Sequence, residues 1–531
     1  MGQPFGISCK GGLNTNLNEF EMLGQPGLAT SLRNFEVDPD GGYRRINGYT
    51  PFGDTRPNGA NKILGVYPYA LGVVVCSGTD IFYSEDGTTW TQINYDNGHA
   101  GAVEGSISGG TLKTRTNQGQ AEFVLTRAGR DHATNPYGTL SIATGPNKMA
   151  HFHIDGTGGS RTFTYQEIDT PAAATYLEEH YHHLCVVDVT NEPNTVYYSR
   201  SNDDRDFEGV GSGSIVIPDR ITGIKSFRED LFIFCINSIY RLVNIDDPAS
   251  VAIVPVTRNI GCLNGFSIQE VGGDLIFLAP DGLRRIAGTD RISDIEMSSV
   301  SHPIQEVIRE IVSAIDTFTI SSTVLRDKSQ YRLFYSTSAT AIDTANGIIG
   351  TFTERGVEWS ETRGIQAIAI SSDFDTDDIE AHYHGDNSGY IYLHDVGDTF
   401  YEEGVAQNIL AVYQTPNYDM GDAGTLKTTH YAKVSISPEG SVQPSLRVRY
   451  DFENSEIPQP PDYVLDSIPF PALFGTAIFG TAIFGASRDP LVRQAIQGSG
   501  HNISFRLYSN DQNPPYSING LYIDYMPSGR R

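Results

Sequence analysis

A chain of 531 residues with 64 acidic and 37 basic side chains carries a formal charge of -27. That balance argues against a protein that grips nucleic acid by neutralising phosphates, which needs Lys and Arg in excess. The 55 Gly, 28 Tyr and 25 Phe against 6 Met favour many short strands and turns over helices, and the length calls for two or three domains unless a repeat lets one domain grow.

Residues 1–50 read as an extended arm, rich in Gly and Asn, that passes a DPDGG turn and ends in a short strand at Tyr43 to Ile46. The first full unit of a recurring pattern follows at Ile63 to Ile93, as KILGVYPY, GVVVCSG, DIFYS and WTQI punctuated by Gly and Asp. From Ala102 to Gly145 a Gly, Thr and Ser mixture suggests inserted long hairpins, and loops on a rigid scaffold are common places for partner contacts. The units resume at Lys148 to Asp169 and at Tyr181 to Phe207.

The stretch Ile221 to Asn244 is the clearest unit. Leu231 to Ile236 and Ile239 to Val243 form two strands around the turn residues Asn237 and Ser238, with a shorter strand near Ile224 leading in. Such a unit has open edges and a small apolar face, so it needs copies of itself to pack against. Further units stand at Phe266 to Ile286, Thr323 to Trp359 and Ile365 to Val396.

About seven units at spacings of roughly 35 to 50 residues match the blades of a β-propeller, with six to eight blades compatible with the count. One helix interrupts the pattern at about Ser301 to Ile315: Ile304, Val307, Ile308, Ile311, Val312 and Ile315 share a face, and Ser301 with Pro303 supplies a start. That face is expected to cover the propeller itself or a neighbouring subunit. After Tyr413, HYAKVSISPE, SLRVRYDF, HNISFRLYS and SINGLYIDYMP alternate as strands of a closing β-sandwich. The expected architecture is therefore all-β: an arm over 1–50, a propeller over 51–412 and a sandwich over 413–531.

Few residues invite chemistry. Cys9, Cys76, Cys185, Cys235 and Cys262 are odd in number and widely spaced, and three of them sit in apolar runs, as buried free thiols of a reducing compartment do. The N-terminus has no basic head followed by an apolar run and no segment approaches about eighteen apolar residues, so neither a secretion signal nor a membrane span is expected. SEDGTTW, with Ser84, Asp86, Gly87, Thr89 and Trp90, resembles the Asp-box turn that braces sialidase-type propellers, one residue short; the arginine cluster and Tyr–Glu pair of a sialidase are not marked.

DFDTDD at Asp373 to Asp378 alternates carboxylates as calcium loops do, but lacks the glycine at the sixth position and has His384 where the chelating Glu belongs. His180, His182 and His183, His151 with His153, and His382 with His384 show spacings that place imidazoles on one strand face, without a Cys or His pair at zinc-finger spacing. With no G-x-S-x-G, Walker loop or H-E-x-x-H, neither an enzyme, a cofactor nor a metal is expected. The pentads ALFGT, AIFGT and AIFGA put Phe474, Phe479 and Phe484 five residues apart. In one strand that odd spacing would send successive rings to opposite faces, so a projecting apolar loop covered in an oligomer or by a partner is favoured over hairpin packing or a pentapeptide coil.

Read in order, several blocks resemble the tail nozzle proteins of short-tailed bacteriophages, the tail tubular protein B type. The carrying blocks are GGLNTNL at Gly11 to Leu17, LRNFEVDPDGGYRRINGY at Leu32 to Tyr49 and NTVYYSRSNDDRDF at Asn194 to Phe207. They continue with NIGCLNGFSIQEVGGDLIFLAPDGLRRIAGTD at Asn259 to Asp290, the helix after it, and YSINGLYIDYMPSGRR at Tyr516 to Arg531. The resemblance implies a propeller subunit of a virion tail, assembled in the host bacterial cytoplasm. It implies a homo-hexameric ring below the portal and head-to-tail adaptor, which retains genomic DNA and conducts it through a lumen without specific binding.

The paired arginines Arg44 and Arg45, which end the arm's strand in this family, become candidate contacts to another subunit or the adaptor; Phe474, Phe479 and Phe484 become a candidate distal gate. Tail fibre or spike proteins and the host surface are further expected partners. The acidic composition suits a conduit wall, which should repel passing phosphates. The competing reading is a carbohydrate-binding or glycan-cleaving propeller at a phage tip or cell surface; an extracellular scaffold is disfavoured by the free cysteines and the missing signal.

Overall fold

The computed structural model describes residues 3–530 except 26, 40, 97–101, 104–110, 114, 116–117, 127–135, 157–161, 248–249, 287–298, 338, 340, 375–378 and 467–490. Seven antiparallel sheets succeed one another around one axis: residues 63–92, 102–167, 176–216, 221–257, 269–285, 319–363 and 369–394. They are numbered here as blades 1 to 7. Neighbouring blades meet through their innermost strands, and blade 7 packs on blade 1, so the ring closes. The chain is a β-propeller.

Burial explains why the blade strands carry unbroken apolar runs. In blade 1, Val73, Val74, Val75 and Cys76 are all fully buried, and in blade 4 so are Leu231, Ile233, Phe234 and Cys235. A strand with another blade on each face has no wet side, so alternation disappears. Blade 4 is the stretch Ile221 to Asn244 plus one outer strand, Ala252–Thr257; its first turn places Arg228 at φ +57.

The arm is not a separate piece. It supplies five strands: β1 Gln3–Ser8, β2 Ser31–Arg33, β3 Phe35–Val37, β4 Tyr43–Arg45 and β5 Tyr49–Pro51. β5 becomes the outer strand of blade 7, pairing Tyr49 with His394, so the first strand of the ring closes the last blade. β2 lies between the outer strand of blade 6, Gly356–Arg363, and the strand Ile409–Gln414. The sheet continues through Ile503–Asp511 and Ser445–Tyr450, so one nine-stranded sheet runs from blade 6 into the C-terminal region.

The second C-terminal sheet is built on Thr425–Pro438 paired with Tyr516–Arg530, to which β1 and β4 add. Here the strands do alternate: Ala432, Val434 and Ile436 are buried between half-buried Lys433 and Ser435. The two sheets enclose the largest core, where Phe35, Tyr43, Val448, Tyr450, Phe505 and Ile523 meet residues of blades 5 and 6. The helix spans Gln305–Ser313 after a 3-10 turn at His302–Ile304. Its Ile304, Val307, Ile308 and Ile311 join that same core, so it covers its own chain where propeller and sandwich fuse.

Candidate functional site

Polar side chains gather at the junction of arm, blades and sandwich and at the axis of the propeller, among other places. At the junction Arg44 grips Glu439 with both arms of its guanidinium, at 2.5 and 2.8 Å, and donates to Glu36 at 2.8 Å and to Asn47 at 2.9 Å. Burial works against the Arg44 charge, but the carboxylates of Glu439 and Glu36 outweigh it and raise its pKa. Arg45 is fully buried and donates to the carbonyls of Asn513 and Pro514, and of Asp398 and Asp511 at 3.1 Å each. Both arginines therefore fasten the arm to the C-terminal region and to blade 7 of the same chain.

Behind Arg44 lies a buried network that sequence reading did not find. Glu36, 3% exposed, accepts from Arg332 at 2.9 Å, Lys328 at 3.0 Å and Gln330 at 3.2 Å. Arg332 and Lys328 also pair with Asp395, whose carboxyl is lowered because these two cations overcome the opposing effect of burial. Arg332 can only donate, so the Nε2 of His394, 3.1 Å away, accepts; its Nδ1 then carries the proton and donates to Nδ1 of His384 at 3.3 Å. Both rings are buried and neutral: burial depresses His384 to about 3 and, with His384 and Arg332, pushes His394 well down. His382 is depressed to about 4, by burial first and Arg332 second. Tyr49 of β5 stacks edge-on to His384 at 4.8 Å, so the cluster sits directly under the ring closure.

Along the axis, the inner strands of six blades line a cavity of about 290 Å³; that of blade 3, Tyr176–His180, joins its neighbours beside it. Most polar side chains of this wall bind the adjoining blade. Gln269 donates to the carbonyl of Ser322, Ser321 to that of Ala367, and Ser371 to that of Val66, while Gln120 of blade 2 reaches across the axis to the carbonyls of Ile320 and Ile368 at blades 6 and 7. Glu178 of blade 3 pairs with Lys225 of blade 4 at 2.9 Å. Glu122 accepts the backbone N–H of Leu177, and burial raises its carboxyl to about 8. Because the single side chain of Gln120 spans the axis from blade 2 to blades 6 and 7, the axis of one propeller is too narrow for anything as wide as a duplex.

The remaining sequence-marked residues are structural where they are described. In SEDGTTW the Asp86 carboxylate accepts from Thr88 and Thr89, while Thr55 donates to the carbonyls of Gly87 and Thr88. A Cβ on Gly87 would stand 2.2 Å from the carbonyl oxygen of Phe52, so only glycine lets the turn pin the segment after β5. His180 meets Ser226, His183 the carbonyl of Ser199, and His151 Ser141. Asp373 accepts from Tyr67; the rest of the DFDTDD run, at 375–378, and Phe474, Phe479 and Phe484 lie outside the described residues. Among the described residues no cluster of three His, Cys, Asp or Glu is placed to hold a metal. The five cysteines are buried and free, and burial pushes Cys262 up to about 11 and Cys9 to about 12, which leaves unreactive thiols.

No protein-family model matches the chain, and no curated protein matches it. Solved structures do. PorZ, a bacterial surface component of the type-IX secretion system of Porphyromonas gingivalis, is 11% identical with a TM-score of 0.37; the match covers 66% of this chain and 38% of PorZ. The CNH domain of AfRom2 is 10% identical with a TM-score of 0.36, over 66% of this chain and 99% of the domain. BBS1N, solved in complex with ARL6DN, is 9% identical with a TM-score of 0.27, over 63% and 77%. At such identities and scores the likeness concerns the fold alone.

Proposed function

We propose that the chain is a structural wall protein, the nozzle subunit of a short-tailed phage tail, and that copies of it form a hexameric tube below portal and adaptor that retains and then conducts genomic DNA. The observation that carries the reading is the continuous sheet from blade 6 through β2 into the sandwich, locked by Arg44, Arg45 and the Glu36 network. It joins two domains without a flexible linker, and so gives one stiff body, which a conduit under internal pressure needs. The closed propeller axis also supports it: a passage for DNA must lie between copies, in the middle of a ring. A net charge of -27 per copy suits a lumen wall along which phosphates slide without being held.

The pentads carrying Phe474, Phe479 and Phe484 are assigned as the distal gate on sequence grounds. Deleting residues 472–486 tests this: filled particles should leak DNA or fail to infect, and particles that do neither contradict the gate. The second reading, a glycan-binding propeller, is favoured by the hydroxyls of Ser322, Thr323 and Ser372 and the stacked Tyr67 and Phe123 around the axial cavity. Glycan binding by an isolated monomer that forms no ring would support it over the nozzle.

A further inference from the structure

On the outer face of the nine-stranded sheet, Arg33 of β2, Arg363 at the end of blade 6 and Arg506 of the strand Ile503–Asp511 come together from three distant parts of the chain. Val412 pairs with Arg33 on one side and Tyr508 on the other, and Gln414 pairs with Arg506, so the strand Ile409–Gln414 runs between the arginines. Arg44, Arg332 and Arg447 are each neutralised by a carboxylate. Among the described residues these three are in no ion pair. Arg363 donates only to the amide oxygen of Asn346, and Nε of Arg506 is buried with no hydrogen-bond partner.

Arg363 and Arg506 each oppose the charge of Arg33. Arg33 has a lowered pKa, by burial first and then by Arg363 and Arg506, with Glu361 pulling the other way. Beside them a cavity of about 460 Å³ is lined by Arg33, Asn34, Arg363, Phe400, Leu410 and Asn510. Leu410 is 38% exposed, and Val405 on the adjoining hairpin is 63% exposed. Three arginines outnumber the carboxylates beside them, Glu361 and Asp343; such a surplus around a partly exposed apolar anchor has the composition of an interface centre, and crowded like charges are costly until a partner brings further carboxylates.

We propose that this face is a docking surface for the acidic surface of a second copy of this chain. The occupant follows from charge complementarity: with 64 acidic against 37 basic side chains, the chain's own surface supplies carboxylates in excess. The same charge repels a nucleic acid at long range, where three arginines do not reverse the field. The inference rests on the proposed ring-forming role and says which surface makes the ring.

The test uses the full chain, with mass measured by light scattering across concentration at low salt and at about 0.5 M salt. The variants are Arg33→Gln with Arg506→Gln, and Arg363→Gln alone, each checked for native circular dichroism. The native chain should assemble at low salt, the double variant about a hundredfold more weakly and the single about tenfold. Variants that assemble like the native chain overturn the surface and leave the ring reading standing. A native chain that stays monomeric throughout overturns the ring reading and this inference with it. Duplex DNA bound by the native chain and lost in the variants overturns the inference in favour of a nucleic-acid contact. Should the double variant misfold, the single variant, at the most exposed of the three arginines, decides.

Discussion

Acid should loosen the ring closure through His384. In the folded chain its imidazole is held neutral, depressed from 6.5 to about 3 by burial, whereas the unfolded chain takes up a proton as pH falls through 6.5. The folded state therefore loses about 1.4 kcal/mol for each pH unit below 6.5, which comes to about 2 kcal/mol at about pH 5; the loss stops only near the folded value of about 3. His384→Asn isolates this contribution, because its side-chain oxygen stands where Nδ1 accepts from His394. Urea unfolding at about pH 7 and about pH 5, followed through the emission of Trp359, which is 1% exposed, gives the stability of each protein at each pH. The variant should lose about 2 kcal/mol less than the native chain between the two values. Equal losses would refute the reasoning, since the groups other than His394, its hydrogen-bond partner, act alike in both proteins.

Three further outcomes are expected. Glu36→Gln leaves Arg332 and Lys328 sharing Asp395 in a buried site and should cost about 3 kcal/mol in denaturant unfolding; a loss under about 1 kcal/mol contradicts a working network. Removing residues 1–51 takes away the outer strand of blade 7 and the link between blade 6 and the sandwich, so the truncated chain should show no cooperative thermal transition, and one at the native temperature would contradict the woven arm. Glu122, raised to about 8, weighs against the fold as pH rises above 4.5. Glu122→Gln should therefore stabilise by about 1 kcal/mol at neutral pH, after solvent screening at this half-buried site, with the gain vanishing at about pH 4; a pH-independent effect would sink that assignment.

The propeller was legible because each blade repeats locally: VVVC and LFIFC are apolar runs bounded by turn residues, and the spacing of the units, roughly 35 to 50 residues, survives any uncertainty in one strand. The helix was legible from its single apolar face. The weave of the arm was not. β2 is the tripeptide SLR, with too few residues to show a period, and its partners lie some 330 and 380 residues away in sequence, at Glu361 and Val412.

The site was largely illegible for the same reason. Arg44 and Arg45 stood out as a pair, but sequence could not tell a surface contact from a guanidinium fully enclosed by carbonyls of residues 398–514. Glu36, Arg332 and Asp395 carry no spacing signal, and neither do Arg33, Arg363 and Arg506; only folding brings each trio together. The histidines of blade 7 were visible as an alternating pair, and their burial beside Arg332 turns a metal-like spacing into a packed neutral cluster.

The central claim is that copies of this chain build the wall of a tube. Electron micrographs of the purified full-length protein, alone and mixed with a portal and adaptor, test it most directly. The account predicts six-fold rings with an axial hole that stack coaxially below the adaptor, and isolated single particles at every concentration, with no density added to the adaptor, would contradict it.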